Sequence, residues 1–153
     1  MRRTILWAIS AAAILLASNP SWPAEHEELR ATPGLWKITY RTQINGQPDP
    51  IVFKWRCVSE EQMDDPAAVF AKPAAANATC KQTSYKQTST TVDWRYHCTT
   101  MTTILDTQGA IKFDTPLHYT GEIKVNGVAM GYPIENAIAV EGEHHAACTS
   151  PED

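Results

Sequence analysis

What this 153-residue chain lacks narrows its possible roles. It has no excess of positive charge: 13 Lys and Arg stand against 17 Asp and Glu, a formal net charge of −4. Phosphate neutralisation supplies most of the affinity for nucleic acid or an anionic bilayer, so neither is an expected partner. There is no Gly-x-Ser-x-Gly elbow, no His-Glu-x-x-His and no Gly-rich phosphate loop, which removes the hydrolase, zinc-protease and nucleotide readings that rest on those spacings. Beyond residue 17 no apolar run is long enough to span a bilayer as a helix. A repeating helical pattern able to cover both faces of a parallel sheet is also missing, and this argues against a doubly wound fold.

What is present begins with Arg2-Arg3 and an apolar run from Ile5 to Ala17, interrupted by Ser10 and ended by Asn19-Pro20. That pattern predicts a secretory signal peptide over residues 1–24, with cuts after Ala17, Ser18 or Ala24 all open. The run is about half the length of a spanning helix, so no stable membrane anchor is expected after cleavage. Losing Arg2 and Arg3 would leave 11 basic against 17 acidic side chains, a charge of −6. Residues 25–153 are long enough for one domain with its own core. The predicted location is periplasmic or secreted.

Four cysteines remain, Cys57, Cys80, Cys98 and Cys148. Their spacings show neither a Cys-x-x-Cys redox pair nor the close ligand pairs of structural zinc, and an exported chain meets an oxidising compartment. Two disulfides are expected, with three pairings possible. The favoured pairing joins Cys80 to Cys98, closing a hairpin-sized loop, and Cys57 to Cys148, tying the end of the chain to its first hairpin.

From Pro33 to Cys57 the apolar period is two. Trp36, Ile38, Tyr40 and Ile44 share one face against Lys37, Thr39, Arg41 and Gln43. Asn45-Gly46 suits a tight hairpin turn, and Ile51, Phe53, Trp55 and Cys57 then alternate with Val52, Lys54 and Arg56. Glu25 to Arg30 is expected to be a mobile arm or a single helical turn. Ser59 with Gln62 forms a capping box that predicts a short helix over Ser59–Asp64, and Pro66 to Ala71 can add another turn. Lys72 to Thr79 reads as loop. Candidate strands follow at Cys80–Gln87, Thr91–Thr99, Ala110–Phe113, Leu117–Val125, Val128–Gly131 and Ile134–Gly142. Turns are expected at Asp106–Gly109, Asp114–Pro116 and Asn126-Gly127, before a polar tail from Thr149. The fold class is all-β: an antiparallel meander closing into a small barrel or strongly curved sheet, with one short helical insertion.

Pro33-Gly34-Leu35-Trp36-Lys37-Ile38, the Cys57-Val58-Ser59 step with acidic residues after it, the Trp94 strand ending at Cys98 and the single late Cys148 carry a family likeness. Together they resemble the bacterial secreted proteins grouped as domain of unknown function 3617. The resemblance covers nearly all of the chain beyond the leader and implies an exported domain of one architecture. It carries no activity and no catalytic residues. Where such proteins tend to have Gly- and Met-rich strands before the last cysteine, this chain departs with Glu141-Gly142-Glu143-His144-His145.

No catalytic residues are assigned. Asp93 and His97 share a strand face but lie over ~12 Å apart at the strand rise, too far to form a dyad. Glu143-His144-His145, joined by His97 or His118, is the sharpest polar cluster, yet adjacent strand residues point to opposite faces. No metal site and no cofactor are therefore assigned. The aromatic residues are more informative: Trp36, Trp55 and Trp94 are expected on the inward face beside Phe53, Tyr40 and Tyr96. Such rings fill the cores of small barrels, or line a mouth that takes an apolar ligand. Trp36, Trp55, Trp94 and Tyr96 are the candidate ligand-binding residues, with Trp36 and Trp55 expected beneath and Trp94 nearer the opening. The resulting expectation is a non-enzymatic envelope protein that binds a small apolar ligand or another envelope component. The alternatives are a metal-binding protein, or a hydrolase or isomerase using residues such as His118, Asp93 or Glu122.

Overall fold

The computed structural model describes residues 28–71 and 78–149. The expected leader, most of the Lys72–Thr79 loop and the end of the tail lie outside the described residues. Strand β1 (Gly34–Ile44) turns at Asn45-Gly46, both in the left-handed region, into the two-residue β2 (Gln47–Pro48). β3 (Val52–Val58) then pairs with the rest of the same edge of β1, from Tyr40 opposite Val52 to Gly34 opposite Val58. Two short helices follow. α1 (Glu60–Met63) is capped by Ser59, whose side chain accepts from the Gln62 amide while the Gln62 side chain accepts from the Ser59 amide. α2 (Pro66–Phe70) starts on proline with Asp65 as its cap.

The remainder is a meander of five strands: β4 (Thr79–Gln87), β5 (Thr91–Thr99), β6 (Thr103–Thr115), β7 (His118–Ala129) and β8 (Tyr132–Ala146). β8 returns antiparallel beside β1, so the sheet runs β2-β1-β8-β7-β6-β5-β4, with β3 sharing the β1 edge. Strand pairing that proceeds neighbour by neighbour curls the sheet into a half-barrel. Among the described residues no ladder joins β4 to β3, so of the two expected forms the curved sheet is the one observed.

Local signals misplaced several boundaries. Asn126-Gly127 is not a turn: Gly127 pairs with Leu105 on one side and Ile134 on the other, and ladders on both flanks override the turn preference of the dipeptide. The chain reverses instead at Met130-Gly131, both at positive φ. Asp106–Gly109 likewise lies within β6, paired along its length with β5 and β7. The described part of the expected arm, residues 28–30, forms no helical turn and contacts the sheet. Leu29 is buried in the core, the Arg30 amide donates to the Ser89 carbonyl (2.8 Å) and the Thr32 amide to that of Pro116 (2.8 Å).

Candidate functional site

Antiparallel partners share a face, so the ladders define the concave surface. It carries Trp36, Ile38 and Tyr40 of β1, Asn136, Ile138, Val140 and Gly142 of β8, Tyr119, Ile123 and Val125 of β7, Thr107, Gly109 and Ile111 of β6, and Trp94 and Tyr96 of β5. The surface divides into two halves.

Helix α2 and Leu29 lie over this face, with α2 packed against β5 as well as against the rings of the first half. Trp36, Phe113, Tyr119 and Phe70 pack as one ring cluster, with centroids 5.1 to 6.1 Å apart, and the Trp36 indole N–H donates to the Thr32 carbonyl (3.1 Å). Tyr119 lies flat over Gly142, where a Cβ would overlap its ring. The space left is a cavity of about 50 Å³ bordered by Tyr40, Arg56 and Tyr119 and, on its far side, by Trp94 and Ile123. Small-molecule sites are on the order of 300 to 1,000 Å³, so this half is filled core with room for ordered water at most. Arg56 Nη1 donates to the Val69 carbonyl (2.9 Å), fastening β3 to α2. Burial raises the Tyr119 and Tyr40 phenols above their ordinary value, an effect that the charge of Arg56 opposes in both.

The second half lies toward the β5–β6 and β7–β8 turns. Trp94 reclines on Gly109, again where a Cβ would overlap the ring. Beside it runs the row Tyr96, Thr107, Val125, Asn136. Trp94 belongs to the main core cluster and Tyr96 packs against it, whereas Val125 is buried outside it. Thr107 is 2% exposed, and its Oγ1, the Trp94 Nε1 and the Asn136 Oδ1 are all buried without a hydrogen-bond partner. By strand spacing Thr107 and Asn136 stand about 10 Å apart at Cα, two strands from each other. Each unpaired buried group costs about 1 to 3 kcal/mol, so three on one face require a reason.

Of the expected ligand-binding residues, Trp36, Trp94 and Tyr96 are therefore on the concave face, Trp36 in the filled half and the other two in the second half. Trp55 is not. The β1–β3 register sets Trp36 opposite Arg56 and Lys37 opposite Trp55, which sends Phe53, Trp55 and Cys57 to the convex face and Val52, Lys54, Arg56 and Val58 inward. Phe53 and Trp55 are 58% and 46% exposed, with the Lys37 ammonium 5.6 Å from the Phe53 ring and His145 edge-on to Trp55 at 5.1 Å. Sequence missed this because the parity of β3 depends on the length of the Pro48–Pro50 loop. Cys57, facing outward, meets Cys148, while Cys80 and Cys98 bond as direct cross-strand partners. These are the two favoured pairings.

The titratable groups lie mostly on the convex face. His144 turns inward against Trp36 (5.6 Å) while His145 turns outward, so the two do not converge. Among the described residues no group of three His, Cys, Asp or Glu is placed to hold a metal ion. His97 pairs not with Asp93 but with Asp106 across the β5–β6 ladder (2.7 Å). A chain unseen in the sequence links Asp114, His118, Glu141 and Arg41: His118 Nδ1 lies 2.7 Å from Asp114, its Nε2 3.5 Å from Glu141, and Glu141 accepts from Arg41 (3.0 Å). Asp114 and Glu141 raise the His118 imidazole above its ordinary value. Asp114 is lowered by His118, and Glu141 by Arg41 and then His118. Both ring nitrogens of His118 face carboxylates, leaving neither to take a proton from a nucleophile. Neither a curated protein nor a solved structure matches the chain. Residues 31–148 match the family described as protein of unknown function (DUF3617), and the chain belongs to it.

Proposed function

We propose that this is a non-enzymatic, disulfide-stapled binding module of the cell envelope, and that its ligand seats on the second half of the concave face. The observation that carries the reading is the trio of buried polar atoms without partners among the described residues, Trp94 Nε1, Thr107 Oγ1 and Asn136 Oδ1, at the edge of the core where Tyr96 and Ile123 pack on it and Val125 is buried outside it. An indole N–H can only donate and an amide oxygen can only accept, whereas a hydroxyl does either. The complementary ligand is a slender apolar body bearing at least one acceptor and one donor, as in an acyl chain with a hydroxyl or amide near its head. Two disulfides fit an extracytoplasmic setting. Titration with a fluorescent fatty acid tests it. Wild type should saturate at one equivalent, and Thr107→Val and Asn136→Leu should each weaken binding about fivefold or more. No saturable binding by wild type would remove the reading.

A second reading, recognition of another envelope component, is favoured by the exposed Ile51, Phe53 and Trp55 on the convex side of β3, beside Lys37. Trp and Tyr anchors dominate binding energy at protein interfaces. Crosslinking in intact cells through a photoreactive residue at Phe53 distinguishes the two: a discrete adduct lost in Trp55→Ala supports partner binding, and a profile identical to a control position on β4 argues against it.

A further inference from the structure

The end of the sheet formed by the β5–β6 and β7–β8 turns combines exposed apolar side chains with an absence of charge in both turns. Residues 98–105 and 127–134 contain no charged side chain, although charged residues make up 20% of the chain. At their tips Met101 is fully exposed, and Met130 and Tyr132 are 75% and 73% exposed. Behind them Ile104, Val128 and Pro133 are direct cross-strand partners on the convex face, all exposed. The next row on that face, Asp106, Asn126 and Glu135, is polar. An uncharged cap, in which Thr99, Thr100, Thr102 and Thr103 accompany the apolar side chains, thus ends at a polar collar.

The two turns are also joined to each other. The Met130 amide donates to the Thr102 carbonyl (2.8 Å), the Thr100 amide to that of Thr103 (2.8 Å), and the Thr102 amide to Thr100 Oγ1 (3.2 Å). Three amides of the two turns are thus satisfied within the tip, which lowers the cost of taking it out of water. Tyr132 has the amphipathic ring typical of the headgroup layer. Protruding Met and Tyr side chains on linked turns suit a surface that deforms around them, and the lack of Lys and Arg in both turns points to attraction that does not depend on lipid charge.

We infer that this tip is a peripheral docking site for a lipid bilayer surface, entered by Met101, Met130 and Tyr132 to the depth of the headgroup boundary. The inference stands on this end of the molecule alone and does not require the ligand reading above. It is tested by co-sedimentation of the purified, disulfide-bonded protein with vesicles of phosphatidylcholine, and of phosphatidylethanolamine with phosphatidylglycerol. The expected result is binding to both that changes less than threefold between 50 and 500 mM salt. The double variant Met101→Asp/Met130→Asp should bind at least tenfold more weakly, and Tyr132→Ser about threefold more weakly, with melting curves and fatty-acid titration unchanged. Failure of wild type to sediment with either vesicle, or equal sedimentation by the double variant, overturns it. So does a wild-type dimer that the double variant dissociates, since a second copy would then be the occupant. Loss of fatty-acid binding with vesicle binding intact would count against the ligand reading and leave this one standing.

Discussion

The two halves of the concave face are built from the same alternation of apolar residues on the same strands, yet they finish differently. Where α2 and Leu29 lie over the sheet, the rings of Trp36, Phe113, Tyr119 and Phe70 meet one another and about 50 Å³ remains. Toward the β5–β6 and β7–β8 turns, Trp94, Thr107 and Asn136 keep buried polar atoms without partners. A strand's periodicity decides which side chains share a face. Whether that face becomes filled core or a recognition surface depends on what is laid against it, and the helical insertion between β3 and β4 reaches Trp94 but leaves its indole N–H, Thr107 and Asn136 without partners among the described residues.

If that division is real, the bridges should differ in weight, and this is the largest effect expected. Cys57–Cys148 spans 91 residues and ties β3 at the helix-covered end, whereas Cys80–Cys98 spans 18 and lies at the other end. The loop-entropy relation gives about 4 to 5 kcal/mol for the first and about 3 for the second. Urea unfolding of the two paired Cys→Ser variants should preserve that order. An inverted order would mean that the second half, not the covered one, holds the fold together.

Next come the tryptophans. Trp36→Ala removes a ring touching three others and a hydrogen bond to Thr32, and should cost about 3 to 5 kcal/mol. Trp94→Ala should cost about half as much, because its indole N–H is unpaired and its loss also removes an unsatisfied donor. Equal losses in denaturant midpoint would show that the unpaired indole N–H offsets none of the cost of removing a core ring.

Much of this was legible in the sequence. The β1 alternation, the Ser59–Gln62 box, Pro66 and the spacing of the cysteines each rest on nearest-neighbour chemistry, and they led to the strands, the helices and the favoured disulfides. What was lost depends on distant pairing. The convex placement of Trp55 is fixed by register with Lys37, and Asn126-Gly127 is held straight by strands on both flanks. Gly109, expected in a turn, and Gly142, expected to end a strand, lie within β6 and β8, where the rings of Trp94 and Tyr119 recline on them. The unpaired polar trio is assembled from three strands, and no local pattern announces it.

A smaller change tests the second half directly. Thr107→Val keeps the shape of the side chain while deleting an unpartnered hydroxyl, so stability should hold or rise by up to about 1 kcal/mol. Fatty-acid affinity should fall in the same variant. A loss of more than about 1 kcal/mol in the absence of ligand would show that the hydroxyl is satisfied in solution, and the contrast between the halves would lose its main support.

The smallest effect belongs to the convex face, where neither half should respond. His118 starts above its ordinary value of 6.5, held there first by the hydrogen bond to Asp114 and then by Glu141, while Asp114 lies below its ordinary 3.8. A raised imidazole contributes stability that is complete below pH 6.5 and fades as pH climbs through its folded value. A lowered carboxyl contributes above about pH 3.8 and fades as pH falls through its own. The pair is therefore at full strength between those limits, and its exposure to solvent keeps the contribution small. Proton NMR titration should place His118 above 6.5, and Asp114→Asn should lower it more than Glu141→Gln. Fatty-acid binding should stay constant across the same titration, because His118 points away from the surface that Tyr119, its neighbour in the chain, helps to line. Binding that followed the His118 curve would couple the convex face to the concave one and end the separation of binding from charge on which the comparison rests.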